Sequence, residues 1–271
     1  MNKYTIYLII GLVVIFAIPI VLNLVIFDEQ TGSPDNPPPE EENNNGDNPN
    51  TDPDQNPDDM EIYWGVDSAS SSDEGLYQCV NENFGHPEVW GRYLGDKEGV
   101  SAGLDANEAD FLHQNNVRIL LIYNHFTDAT GYDHGVEEAQ EAIAYAEDLG
   151  APDGVAIFGD IEPTYPVDSA FMQGWYDTLS ASAYEPGFYG VFDEGSAILT
   201  AYNAMDQEAR NNTVVWTAFP QNEITTKANA PEYNPHGPEE SLLYGWQYAI
   251  EAEQCVIDTD LYQNEMLDYL W

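Results

Sequence analysis

The sequence predicts an α/β fold, a closed (β/α)8-type (TIM-like) barrel, on three observations. Beyond residue 61, short apolar runs alternate with longer acidic amphipathic stretches, the pattern of strands joined by helices into a parallel sheet. Eight such runs can be counted, the number that closes this kind of barrel. The runs end on acids, aromatics and amides, and in such barrels the chemistry sits at the carboxyl ends of the strands.

Strands are expected at 62–67, 89–94, 118–124, 155–162, 187–192, 214–219, 242–249 and 255–261. A helix is expected over 137–149, where Ala139, Ala142, Ile143 and Ala146 recur at helical spacing and Gly150 supplies the stop. Asp168 is a natural N-cap for a second helix through Phe171, Trp175 and Leu179, and Ser196 for a third over 196–210. The links before the seventh and eighth runs are short of helical pattern, so the barrel is expected to be irregular in its last strands.

Four segments precede or make up this domain: a cytoplasmic amino end (1–5), a transmembrane signal anchor (6–27), an acidic linker (28–60) and the barrel (61–271). Residues 6–27 are apolar almost throughout, long enough to span a hydrocarbon core of about 30 Å. Lys3 precedes them and Asp28-Glu29 follows, which places the carboxyl-terminal domain outside a cell membrane crossed once. A cleaved signal peptide, and hence a secreted protein, is the competing reading; the run exceeds the usual signal core and no small-x-small site stands before Asp28. Residues 28–60 are nearly all Asp, Glu, Asn, Pro, Gly, Gln, Ser and Thr, a disordered composition that makes an extended spacer.

Acids outnumber bases 49 to 6, a net charge of -43, and no basic cluster exists, so a nucleic-acid partner is excluded. The acids are spread over the domain as on a halophilic or acid-adapted surface. In an exported domain the two cysteines, Cys79 and Cys255, are candidates for a disulfide; neither has metal-site spacing, and no metal or other cofactor is expected. The oligomeric state is not legible.

The centre of the candidate site is Val155-Ala156-Ile157-Phe158-Gly159-Asp160-Ile161-Glu162-Pro163, an apolar run ending in two carboxylates and stopped by proline. Side chains two apart on a strand point to one side, so Asp160 and Glu162 share a face. Acid-x-acid triplets are common in a chain this acidic; position at the end of an otherwise uncharged run is what distinguishes this one. The other runs end on Asp67, Tyr93, Tyr123 with Asn124, Tyr189, Trp216, Gln247 with Tyr248, and Asp258 with Asp260. That mixture suits a saccharide, with carboxylates for glycosidic chemistry, flat rings for sugar faces and amides for hydroxyls.

These motifs resemble a known order. Trp64-Gly65-Val66-Asp67-Ser68 at the first run, Gly159-Asp160-Ile161-Glu162-Pro163 at the fourth, Trp216 at the sixth, Trp246-Gln247-Tyr248 at the seventh and Ile257-Asp258-Thr259-Asp260 at the eighth are similar to those of the Chalaropsis-type lysozymes. They resemble still more the related glycoside-hydrolase-like barrel domains of unknown function in exported bacterial proteins. The resemblance spans most of 61–265 and implies that Glu162 is a proton donor, that Asp160 orients substrate or stabilises charge beside it, and that Asp67 lines the pocket. The family's final Asp corresponds to Asp258 or to Asp260. The run Ser68-Ala69-Ser70-Ser71-Ser72 and the loops after the second and third strands depart from the lysozymes, which bears on specificity for muramic acid.

The catalytic set is therefore Glu162, Asp160, Asp67 and Asp258, with Tyr123, Tyr189, Trp216, Trp246, Gln247, Tyr248 and Asp260 as saccharide-binding residues. The expected activity is hydrolysis of a cell-wall or other extracellular polysaccharide by carboxylate acid/base catalysis. A non-catalytic saccharide-binding or wall-interaction module on the same barrel is the second reading. A metal-dependent deacetylase or phosphodiesterase is the third, disfavoured because the strand ends carry almost no histidine.

Overall fold

The computed structural model describes residues 61–271. The expected anchor and linker lie outside these residues. Eight strands close in chain order into one barrel: β1 Ile62–Asp67, β2 Val89–Tyr93, β3 Arg118–Tyr123, β4 Ala156–Ile161, β5 Glu185–Gly190, β6 Val214–Ala218, β7 Leu242–Ala249 and β8 Asp258–Gln263. Outside it run α1 Glu74–Asn83, α2 Ala106–Gln114, α3 Tyr132–Leu149, α4 Ser169–Ser180, α5 Ala197–Asn203 and α6 Gln207–Asn211.

Neighbouring strands from β1 to β7 are parallel, but β8 is antiparallel to both β7 and β1. The irregularity expected in the last strands is thus a reversal of β8, and the eighth strand, expected at 255–261, lies at Asp258–Gln263. The link from β7 to β8 is residues 250–257, without a helix. A parallel crossover needs a dozen or more residues, so so short a link can only turn the chain back. Cys255 accordingly lies in the turn, not in a strand, with φ +67°, between Glu251 at +63° and Val256 at +46°.

The helices follow their signals where caps are present. Asp168 accepts a bond from the Phe171 amide at 2.8 Å at the start of α4, and Ser196 caps α5 through the Leu199 amide at 3.2 Å. Gly150 ends α3 with φ +84°, a left-handed position open to glycine at no steric cost. The helix expected over 196–210 is instead two, because the chain turns at 204–206 and Arg210 folds back to bond the carbonyls of Asn203 and Met205 at 3.3 and 2.5 Å.

Strand alternation sorts the core into two layers. Leu120, Ile122, Ala156, Phe158, Val214, Trp216 and Tyr262 fill the barrel, while Trp64, Val66, Leu121, Tyr123, Ile157 and Trp175 pack between barrel and helices. The segment Asn264–Tyr269 adds Met266 to the interior, and the Trp271 backbone pairs both ways with Ile119 at 2.8 and 3.0 Å. A bond joins Cys79 of α1 to Cys255 across 176 residues, as the two cysteines led one to expect.

Candidate active site

Seven parallel strand ends and the beginning of β8 meet at one rim. In register across β1 and β8, Asp67 stands opposite Asp258 and Gly65 opposite Asp260. Because β8 runs the other way, Asp258 opens its strand rather than closing it. Two reversals cancel, and the residue reaches the rim that a parallel strand would have given it.

Gln247 organises this corner. Its Nε2 donates to Asp67 Oδ2 at 2.8 Å and to Asp258 Oδ2 at 3.5 Å, and its Oε1 accepts from the Tyr189 hydroxyl at 2.7 Å. Tyr189 lies against Trp216, ring centres 4.3 Å apart, and Trp216 Nε1 donates to Asp260 Oδ1 at 3.1 Å. The Glu251 amide holds the other oxygen of Asp258 at 2.6 Å. Gly91, in register with Asp67, leaves room for that side chain, since a Cβ there would stand 2.7 Å from the aspartate's own Cβ.

On the opposite side of the rim, Asp160 is 5% exposed and paired in register with Tyr189, whereas Glu162 is half-buried and reachable. Asp160 Oδ1 and Asp260 Oδ2 are both buried without a hydrogen-bond partner. In a protein interior such orphaned atoms are uncommon, and here both lie on carboxyls that face the barrel mouth. Lys97, from the loop after β2, ties its ammonium to the carbonyls of Asn124 and Phe126 at the end of β3.

The electrostatics follow from burial and crowding. Burial and the Asp258 charge push Asp67 up to about 8, against the pull of Gln247, Asp260 and Arg92. Asp160 and Asp260 are held well above the usual carboxylate range by burial first, then by repulsion from Glu162 and Asp67 for the one and from Asp67 and Asp258 for the other. Glu162 is raised by burial and by Asp258 and drawn down by Lys97, which also draws Asp160 down. Asp258 is raised by burial and eased by the Glu251 amide. All five carboxyls at this mouth are thus raised above their ordinary values, Asp67 to about 8.

Glu162, Asp160, Asp67, Asp258, Tyr189, Trp216, Gln247 and Asp260 come together at this mouth. Tyr123, Trp246 and Tyr248 do not. Each has the opposite strand parity and packs in the layer between barrel and helices. The Tyr123 hydroxyl donates to Glu138 at 2.7 Å, Trp246 Nε1 to the Phe219 carbonyl at 3.0 Å, and Trp64 Nε1 to the Tyr248 hydroxyl at 3.1 Å. A strand offers alternate residues to a face, so Trp246-Gln247-Tyr248 can present only its middle member to the site. The same rule brings in Tyr93, a strand-end residue outside the expected saccharide-binding set. It sits two positions beyond Gly91, and its phenol is raised by burial and by the charges of Asp160, Asp67, Glu162 and Asp258. Lys97 carries no motif that could have marked it. Among the described residues no group of three or more His, Cys, Asp or Glu is arranged to hold a metal ion.

The chain thus forms an eight-stranded barrel with its final strand reversed and its mouth lined with acids. The chain belongs to the Rv2525c-like, glycoside hydrolase-like domain family, whose model matches residues 86–259. It is similar to an uncharacterized protein of B. stearothermophilus, 36% identical, with a TM-score of 0.75 over 77% of this chain and 100% of that one. The fold is shared with the modular autolysin LytC of Streptococcus pneumoniae, 15% identical, with a TM-score of 0.52 over 74% of this chain and 46% of that one. It is shared too with the Tat-secreted protein Rv2525c of Mycobacterium tuberculosis in complex with L-tartrate, 14% identical, with a TM-score of 0.50 over 73% and 94%. A search of curated protein sequences finds no significant match.

Proposed function

We propose that the chain is an extracytoplasmic glycoside hydrolase, anchored in the membrane through 6–27 and held off it by 28–60, that acts on cell-wall or other extracellular polysaccharide. The observation that carries this reading is the pairing at the end of β4 of a reachable carboxyl, Glu162, with a buried one, Asp160, whose Oδ1 has no partner among the described residues. Glycosidic cleavage needs one protonated carboxyl for the leaving oxygen and negative charge for the developing oxocarbenium ion. Glu162 is the acid, because of the β4 pair it alone is open to a bound ligand and its pKa is raised. Asp160, its carboxyl held well above the usual range by burial, donates when protonated to a substrate group such as an acetamido oxygen, or when ionised meets the cation directly. Asp258, with the Glu251 amide and Gln247 on its carboxylate, supports the ionised form on the far side. Water then adds at the anomeric carbon and its proton passes to the group that lost one.

The test is to incubate residues 61–271 with peptidoglycan and with neutral glycans, beside Glu162→Gln. Reducing ends released by the wild type and not by the variant support the assignment. Equal release by both proteins removes it. Saccharide binding without release by either leaves the barrel as a binding module.

A further inference from the structure

The long connection from β6 to β7 builds a second concavity at the same end of the barrel, outside its wall. A cavity of about 410 Å³ is lined by Phe219, Gln221, Asn222, Tyr233, Asn234 and Trp246, with Glu232 as its charged residue. It is a built feature. Trp246 Nε1 donates to the Phe219 carbonyl at 3.0 Å, the Phe219 amide to the Gln247 carbonyl at 3.1 Å, and the Asn222 amide to the Tyr248 carbonyl at 3.2 Å. Tyr233 stands edge-on to Trp246 at 6.2 Å and its hydroxyl donates to the Leu243 carbonyl at 3.3 Å. The side-chain amides of Gln221, Asn222 and Asn234 make no hydrogen bond among the described residues, and all three residues are exposed.

We propose that this cavity is a second saccharide site, for a neutral pyranose unit of the polymer whose other units pass the acid rim. Its volume falls in the range of small-ligand pockets, roughly 300–1,000 Å³. Phe219 and Tyr233 offer part-exposed ring surface to the C–H faces of a sugar above the buried Trp246, Phe219 stacking its other face on His236 at 3.9 Å, and three uncommitted amides offer both donors and acceptors to its hydroxyls. No base lines the cavity, so an acidic sugar meets Glu232 with nothing to balance it. Strand β7 is the wall between the two sites: Trp246 faces this cavity while the next residue, Gln247, faces Asp67. Two sites on one rigid strand make the second contact with a polymer intramolecular, so retention on long chains exceeds what either site provides alone. The assignment rests on the saccharide reading of the rim for the identity of the polymer, but not on turnover.

The experiment uses the full-length chain carrying Glu162→Gln, in a detergent without a sugar head group. Triacetylchitotriose and cellotriose are titrated against tryptophan fluorescence, which Trp246 makes sensitive to this cavity, and binding to insoluble chitin and peptidoglycan is measured by sedimentation. Asn222→Ala with Asn234→Ala, both exposed and without side-chain bonds to lose, is expected to weaken saccharide binding by tenfold or more and to release the protein from the insoluble polymers. Phe219→Ala is expected to act in the same direction. Unchanged affinity in both variants overturns the proposal, as does binding to peptidoglycan with none to either neutral saccharide. If the rim is not hydrolytic, wild-type protein with Glu162 intact still binds the polymers through this cavity and releases no reducing ends, which separates the two failures.

Discussion

Asp67 and Asp258 face each other across an antiparallel pair, the last residue of β1 against the first of β8, with the amide of Gln247 donating to both at 2.8 and 3.5 Å. Two acids so placed are tolerable only with a donor between them or a proton on one. Replacing Gln247 by Ala removes the donor and leaves the Tyr189 hydroxyl without its acceptor. The expected cost is about 1–3 kcal/mol, read as a lower urea midpoint at pH 8 with a smaller loss at pH 5, where a proton on Asp67 relieves the repulsion.

Stability should fall as pH rises. Asp67 is raised to about 8 in the folded protein, from an ordinary value of 3.8, so the folded state holds a proton that the unfolded chain has released. Stability is then greatest below about 4 as far as this group is concerned and is lost as pH climbs through 8. Asp160 and Asp260 act in the same direction. Denaturation midpoints from pH 5 to 9 should decline for the wild type and decline less steeply for Asp67→Asn. A midpoint that rises over this range would refute the assignment of a buried proton.

Asp160→Asn and Glu162→Gln should separate stability from turnover. Asparagine reproduces the shape of a protonated aspartate, so Asp160→Asn is expected to hold or raise the unfolding temperature while lowering kcat. Glu162→Gln, at a half-exposed position, is expected to leave stability within about 0.5 kcal/mol and to lower kcat by roughly 10²–10⁴. Calorimetry and reducing-end assays on the same preparations decide both.

Facing direction can be tested directly. Tyr123→Phe takes the phenol donor from Glu138 Oε2 in the helix layer, leaving it with His134 on Oε1, and should cost about 1–2 kcal/mol with kcat/KM unchanged. Tyr189→Phe unbinds Gln247 at the mouth and should lower kcat/KM. Equal kinetic effects would mean that the sorting by strand parity is wrong.

Loss of the Cys79–Cys255 bond should destabilise the domain by about 4–5 kcal/mol in the chain-entropy picture, for a loop of 176 residues. The same bond anchors the turn in which Glu251, Cys255 and Val256 hold positive φ, and Glu251 in turn holds Asp258. Cys79→Ser with Cys255→Ser should therefore lower the unfolding temperature and, where the fold survives, reduce activity more than a distant change of equal cost.

The linear pattern was sufficient for the strand order, the capped helices, the cysteine pair and most of the acids at the mouth, because each is written in local signals: apolar runs, N-cap residues, a period of two. Asp160 and Glu162 were legible together because a strand end and a proline bracket them. Direction and facing were not. The reversal of β8 depends on how a link of eight residues must close against β7 and β1, and the exclusion of Tyr123, Trp246 and Tyr248 depends on which face of each strand the barrel encloses. Lys97 reaches the rim from a loop, through bonds to carbonyls at the end of β3. The sequence by itself determined which residues could do acid chemistry; closure of the barrel decided which of them face one another, since parity within a strand is local but the side that becomes the interior is set only when all eight strands meet.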